Sequence, residues 1–123
     1  MKSDGKRAVR VAERVREELA SLLMHEVRDP RVQGVVVSRV SMTDDLRIVN
    51  VGVRSLVAED GPSRDNLLEG LRHASSLLRR EVTRRAGLRY APEFRFSFDE
   101  GQDRATAIER VLEEIRVDDQ RRK

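Results

Sequence analysis

The sequence has no cysteine and no tryptophan, only one tyrosine and three phenylalanines, and three prolines in 123 residues. Without cysteine there are no disulfides, no thiolate metal sites and no cysteine nucleophile, which fits a reducing, cytoplasmic setting. No apolar run approaches the ~18 residues that a membrane span needs. Met1–Gly5 lead straight into charged residues, so no secretory leader and no membrane partner are expected. Histidine is scarce too. His25 and His73 are not paired at metal-ligand spacing, and nothing is present to complete a zinc site with them. The adjacent acidic pairs Asp44-Asp45, Glu59-Asp60, Asp99-Glu100 and Asp118-Asp119 fall in turns or ends, where neighbouring side chains diverge rather than form a carboxylate dyad. Neither a glycine-rich phosphate loop nor a Gly-x-Ser-x-Gly nucleophile turn occurs. The chain therefore reads as a non-enzyme, with no cofactor and no metal.

What the sequence has in quantity is charge. Charged residues make up 38% of the chain and hydrophobic residues another 38%, enough for one core against one side of a sheet. The net charge of +3 conceals an uneven distribution. Residues 72–98 carry seven basic and two acidic side chains, a net of +5, and residues 99–120 carry three and eight, a net of −5. The last three, Arg121-Arg122-Lys123, are all basic. A concentrated basic segment attracts polyanions even in a nearly neutral molecule.

Periodicity supplies the frame. Ala8, Val11, Ala12, Val15, Leu19, Leu22 and Leu23 recur at three- and four-residue steps, predicting a helix over 6–28 that stops before Arg28-Asp29-Pro30. Residues 35–43 read as a strand with Val36, Val40 and Met42 on one face. Asp44-Asp45 makes a turn into a second strand at 46–55, with Val49, Val51 and Val53 aligned, giving an antiparallel hairpin. Residues 58–63 read as a loop. A second helical zone over 64–86 buries Leu67, Leu71, Ala74, Leu78 and Val82, and the small residues Ala74-Ser75-Ser76 predict a kink within it. Gly87 suits a left-handed helix cap. The third strand, 93–98, alternates Phe94, Phe96 and Phe98 with Arg95 and Ser97, which makes these rings core rather than stacking platforms. Tyr90 is left free to stack or to pack. Asp103 caps a last short helix with Ile108, Val111, Leu112 and Ile115 on one stripe.

The expected architecture is an α+β two-layer sandwich in the order α-β-β-α-kink-α-β, plus a short C-terminal helix. It divides into a flexible N-terminus (1–5), a core domain (6–99) and an acidic helix with a basic tail (100–123). The candidate nucleic-acid contacts are Arg72, Arg79, Arg80, Arg84, Arg85 and Arg89 on or just after the kinked helices, since a guanidinium fork can bridge two phosphate oxygens. Lys6, Arg7, Arg10 and Arg14 form a second candidate patch, weighed against an ordinary exposed helix start, and Arg28 and Arg31 flank a turn within reach of phosphate. Against the first group stands a solvated helix face salt-bridged to Glu69 or Glu81, and against Arg28 and Arg31 stands capping or plain solvent exposure. An alternative for the acidic residues 99–120 is a protein-interaction module that binds basic proteins without touching RNA.

The order of elements is similar to that of the type II KH domain, whose Gly-x-x-Gly loop clamps single strands. Here Ala74-Ser75-Ser76 stands in place of that loop. This substitution resembles the ribosome-binding factor A family, whose members carry an Ala-x-Gly kink, with Ser76 at the kink glycine of that pattern. Further motifs follow in order: Arg28-Asp29-Pro30-Arg31 closing the first helix, Val35 to Thr43 followed by Asp45-Leu46, and His73 to Val82 as the kinked pair. Leu88-Arg89-Tyr90-Ala91-Pro92-Glu93-Phe94-Arg95-Phe96 then enters the last strand, with Asp99-Glu100 after it. The likeness covers roughly residues 6–115. It implies a monomeric cytoplasmic ribosome-biogenesis factor that binds the 30S subunit and 16S rRNA, with ribosomal proteins and other assembly factors as further partners. It also implies late maturation and 5′-end processing of the rRNA by other enzymes.

Overall fold

The computed structural model describes residues 2–58 and 60–99. The expected C-terminal helix and tail, 100–123, lie outside the described residues. Within them the elements are α1 (Lys2–His25), a 3-10 turn (Pro30–Val32), β1 (Val35–Met42), β2 (Ile48–Ser55), α2 (Gly61–His73), α3 (Ser75–Arg85) and β3 (Glu93–Phe98). The three strands form one sheet in the order β1-β2-β3. β2 is central, antiparallel to β1 and parallel to β3. The helices cover one face of this sheet. The core lies between the layers, where Val15, Leu19 and Leu22 of α1, Leu67 and Leu71 of α2 and Leu78 and Val82 of α3 meet Val49, Val51 and Val53 of β2. Each such side chain is at most 1% exposed, and full burial of a Val or Leu stabilises by about 1.5–3 kcal/mol. Phe94, Phe96 and Phe98 pack half-buried against this core from β3, as their alternation predicts.

α1 runs from Lys2 to His25 rather than over 6–28. Three further features differ from the periodic reading, each for an identifiable reason. Simple alternation places Val36 on the core face with Val40 and Met42, but it is exposed, and Val35 and Val37 take the core side. A β-bulge causes this. Val37 pairs with Val53 and Arg39 with Gly52, leaving Ser38 as an extra residue that inverts the alternation between the two halves of β1. Ser38 Oγ lies 3.1 Å from the Gly52 carbonyl and 2.8 Å from Asp99 Oδ2, and so ties the bulge to the end of β3. Next, α2 opens at Gly61 rather than 64, inside the segment read as loop. Asp60 caps it by accepting from the Ser63 N–H at 2.8 Å, and Pro62 sits in the first turn. Finally, β2 starts at Ile48 rather than 46. The turn before it is closed by Thr43, whose hydroxyl donates to Asp45 at 2.6 Å and accepts from the Ile48 N–H at 3.1 Å, with Leu46 at φ 60°.

The kink is a single-residue break. Ala74 has φ −83° and ψ −3°; its N–H donates to the Gly70 carbonyl at 3.0 Å and its carbonyl accepts from Leu78 at 3.0 Å. Ser75 and Ser76 open α3 in right-handed helical geometry. Among the described residues only Leu46, Gly34 and Gly87 have positive φ, so position 76 makes no demand that only glycine can meet. The helix ends as the sequence predicts: Gly87 at φ 66° donates to Arg84 O and Leu88 N donates to Thr83 O at 2.9 Å, satisfying the terminal carbonyls.

Gly70 is a buried helix glycine with a packing role. A Cβ there would lie 2.9 Å from both Arg31 Cβ and Val32 Cγ1, so its absence lets the 3-10 turn rest on α2. Gly70→Ala is expected to lower stability by about 1 kcal/mol, because overpacking costs about 1–3 kcal/mol and the helix-propensity gain returns only about 1. Urea unfolding reads this as a lower midpoint at unchanged slope; an equal or higher midpoint would show that the turn yields freely.

Candidate nucleic-acid interface

α3 is held to the core by Leu78 and Val82, four residues apart, and this fixes the direction of every other side chain on it. Arg79, Arg80 and Arg84 point to solvent, while Arg85 is partly covered. Glu81 sits among them. It accepts from Arg84 at 2.7 Å, with Arg80 at 3.7 Å and Arg85 at 3.6 Å. The Arg84 hydrogen bond, aided by the charges of Arg84, Arg85 and Arg80, holds the Glu81 carboxyl below its ordinary value. One carboxylate thus serves three guanidiniums and the cluster stays positive. With the Arg80 and Arg84 ends largely in solvent, pairs of this kind contribute little stability.

Two sequence-distant patches meet at the end of this helix. Arg14 Nη2 of α1 donates to the Arg85 carbonyl at 3.4 Å, and Arg7, Arg10, Arg14 and Ala86 line one shallow depression. Arg14 also pairs with Glu18 at 3.5 Å and Glu17 at 3.8 Å, and Arg85 with Glu26 at 3.6 Å. Lys6 is exposed near the same end of α1. Midway along α3, Arg79 Nη2 donates to the Ala91 carbonyl at 2.9 Å, fixing the segment that carries Arg89 and Tyr90.

The remaining candidates stand elsewhere. Arg31 is bound to Asp29 through Nε and Nη2, with Nη2–Oδ2 at 2.7 Å, beside Gly70 of α2. Arg72 pairs with Glu69 at 3.4 Å on α2. Arg28 lines an apolar groove of about 660 Å³ between the end of α1, the 3-10 turn and the start of β1. Arg16 and Asp29 in that groove are engaged, Arg16 with the Val37 carbonyl and Asp29 with Arg31. Salt-bridged faces at Glu69 and Glu81, the bland reading of the sequence, do therefore occur. Arg72 belongs to one; Arg80, Arg84 and Arg85 share the other. Arg47 was missed. It lies in the turn before β2, and only the pairing of Ile48 with Glu93 and the Glu93 N–H to Arg47 carbonyl bond of 2.8 Å place it beside Tyr90. No spacing in the sequence signals that contact. Among the described residues no group of three or more metal-ligating side chains occurs, and no helix is long and apolar enough to cross a membrane.

Three helices over one face of a three-stranded sheet, with a broken α2–α3 pair in place of a Gly-x-x-Gly loop and a basic outer helix, define a type II KH-like protein of the α+β class. The family profile of ribosome-binding factor A matches residues 7–112. The chain belongs to that family. It is 54% identical over 112 residues to ribosome-binding factor A of Sorangium cellulosum, covering 90% of each chain, and 44% identical over 114 residues to that of Anaeromyxobacter sp., covering 92% of each. Among solved structures it resembles the crystal structure of ribosome-binding factor A from Thermus thermophilus, with a TM-score of 0.64 at 22% identity over 74% of this chain and 94% of that one. A homology model of the Thermus thermophilus factor, fitted into a cryo-EM map of a 30S complex, gives a TM-score of 0.60 at 23% identity over 74% and 93%.

Asp29 generates a pH prediction. The Arg31 side-chain hydrogen bond, followed by the Arg31 backbone N–H, lowers its pKa from 3.8 to about 2. A depressed carboxylate contributes stability above its unfolded pKa and loses it as pH falls through the folded one. Asp29→Asn should therefore be less stable than the parent at neutral pH, with the gap closing as pH drops from 3.8 towards about 2. Thermal melts across that range read the gap; a constant difference would show that the Asp29 charge plays no part.

Proposed function

We propose that the chain binds the 30S ribosomal subunit by laying the outer face of α3 and the start of α1 on 16S rRNA. The observation that carries this reading is the meeting of Arg7, Arg10 and Arg14 with the α3 terminus, marked by the Arg14 to Arg85 carbonyl bond. Folding converts two short basic stretches into one band with Arg80 and Arg84. Family membership supports the partner, since the relatives are named for ribosome binding and a Thermus factor has been fitted into a 30S complex. The absence of a Gly-x-x-Gly loop favours recognition of phosphate positions and shape on folded RNA over clamping of a long single strand. Residues 6–99 form the binding domain in this reading, and 100–123 a separate acidic and then basic segment.

The finer role is late maturation of the small subunit. By binding one rRNA conformation better than another, the factor shifts that equilibrium and presents the 5′ end for trimming by other enzymes. It acts in the cytoplasm as a monomer and performs no covalent step itself.

Salt dependence tests the band. Each phosphate contact contributes a slope of roughly −0.7 to −0.9 in log K against log salt. The triple variant Arg10→Gln/Arg80→Gln/Arg84→Gln is expected to flatten the slope for 30S binding by about 2. Co-sedimentation with 30S subunits across a salt series reads this. An unchanged slope in a folded variant places the contact elsewhere.

A further inference from the structure

We propose that Arg47, Tyr90 and Arg89 form a site for one unpaired nucleotide, with the tyrosine ring stacking on the base and the two guanidiniums taking the flanking phosphates. The inference rests on the RNA-binding reading above and adds to it a contact with a base.

An isolated exposed apolar side chain is ordinary, so the 60% exposure of Tyr90 decides nothing alone. The gathering of charge around it is what carries the inference. The guanidinium carbon of Arg47 stands 5.1 Å from the ring centroid and that of Arg89 stands 5.8 Å from it. Arg31, Arg84 and Arg95 each bind a carboxylate. Neither Arg47 nor Arg89 forms a salt bridge among the described residues. Asp45 feels the Arg47 charge, but its carboxylate is committed to the Thr43 hydroxyl and the Arg47 backbone N–H. The two guanidiniums therefore meet the ring's quadrupole and no acid in direct contact. A base that stacks on the ring displaces whichever guanidinium lies over that face, and the displaced cation can then take the flanking phosphate.

The site is also pre-organised. Leu88 N donates to Thr83 O at 2.9 Å before it, the Ala91 carbonyl accepts from Arg79, Pro92 is fully buried, and Glu93 N donates to Arg47 O at 2.8 Å after it. The backbone on both sides of Tyr90 is thereby held, so little ordering remains to be done on binding. Arg79 carries the connection to the α3 band. The ring's chemistry selects the ligand: a π-face stacks on any base, while a base inside a duplex offers no free face. An unpaired nucleotide beside a helical segment meets both requirements.

The chain's own composition provides the test. Tyr90 is the only tyrosine and there is no tryptophan, so intrinsic fluorescence reports this ring alone. The full chain is titrated with a short oligouridylate and, separately, with inorganic polyphosphate. The oligonucleotide is expected to quench Tyr90 emission; polyphosphate is expected to bind with little quenching. Tyr90→Leu should weaken binding of both oligouridylate and 30S subunits by about five- to a hundredfold, the span of one lost base–aromatic stack. Tyr90→Phe should bind as the parent does, which separates stacking from a hydroxyl contact or misfolding. Arg47→Gln should weaken both small ligands. If the folded Tyr90→Leu variant binds oligonucleotide and subunits like the parent, this site is not an RNA contact, and the α3 reading stands. If the parent fails to bind subunits at all, both readings fall.

Discussion

The burial of Leu78 and Val82 against the central strand governs most of what this protein presents to its surroundings. α3 is short and strongly basic, and its arginines repel one another. Two apolar side chains, one turn apart and fully enclosed, hold it on the sheet. Because a helix has a fixed period, that anchoring turns Arg80 and Arg84 outward and Arg79 to the flank, where it holds the Ala91 carbonyl. The single acid in their midst, Glu81, restrains the cluster without neutralising it. Stability and function are thus assigned to opposite sides of the same eleven residues.

The same economy appears in how distant segments are joined. α1 contributes a long apolar stripe to the core, and its basic start comes to lie beside the α3 terminus. The Gly87 cap reverses the chain there, and Arg79 secures the returning loop through the Ala91 carbonyl. The parallel β2–β3 pairing then brings the Arg47 turn to the start of β3. Gly70 sets the approach of the 3-10 turn on the other side of α2, where Arg31 and Arg72 are each satisfied by a nearby acid. The outcome is an asymmetric helical layer: along α3 one carboxylate is shared among three arginines, while Arg31 and Arg72 each have an acid of their own.

Much of this was legible in the sequence. The alternation of Val49, Val51 and Val53, the stripe from Leu67 to Val82, the Gly87 cap and the three phenylalanines all behave as their spacing requires, because local periodicity and burial agree there. The readings that failed are those where a side chain overrides the period. Ser38 inserts a residue into β1 and turns Val36 outward; Asp60 extends α2 by capping it earlier; Thr43 claims the residues that looked like the start of β2. The candidate arginines were readable as a charge excess, but their division into an α3–α1 band and a separate Arg31–Arg72 group depends on packing between segments far apart in the chain. Arg47 was invisible for the same reason. At position 76, where the family pattern has its kink glycine, the serine sits in ordinary helix, since the break falls at Ala74.

The claim on which the account rests is that the outer face of α3 meets rRNA, rather than the sheet face turned away from the three described helices. Ser76 stands one turn before Arg79 and Arg80 on that helix, and Ser97 is exposed on the open sheet face. Since the chain has no native cysteine, Ser76→Cys and Ser97→Cys each offer one attachment point for an iron chelate that cleaves nearby RNA by hydroxyl radicals. In complexes with 30S subunits, strong localised cleavage of 16S rRNA is expected from position 76 and little from position 97. Strong cleavage from position 97 with none from position 76 would contradict the account.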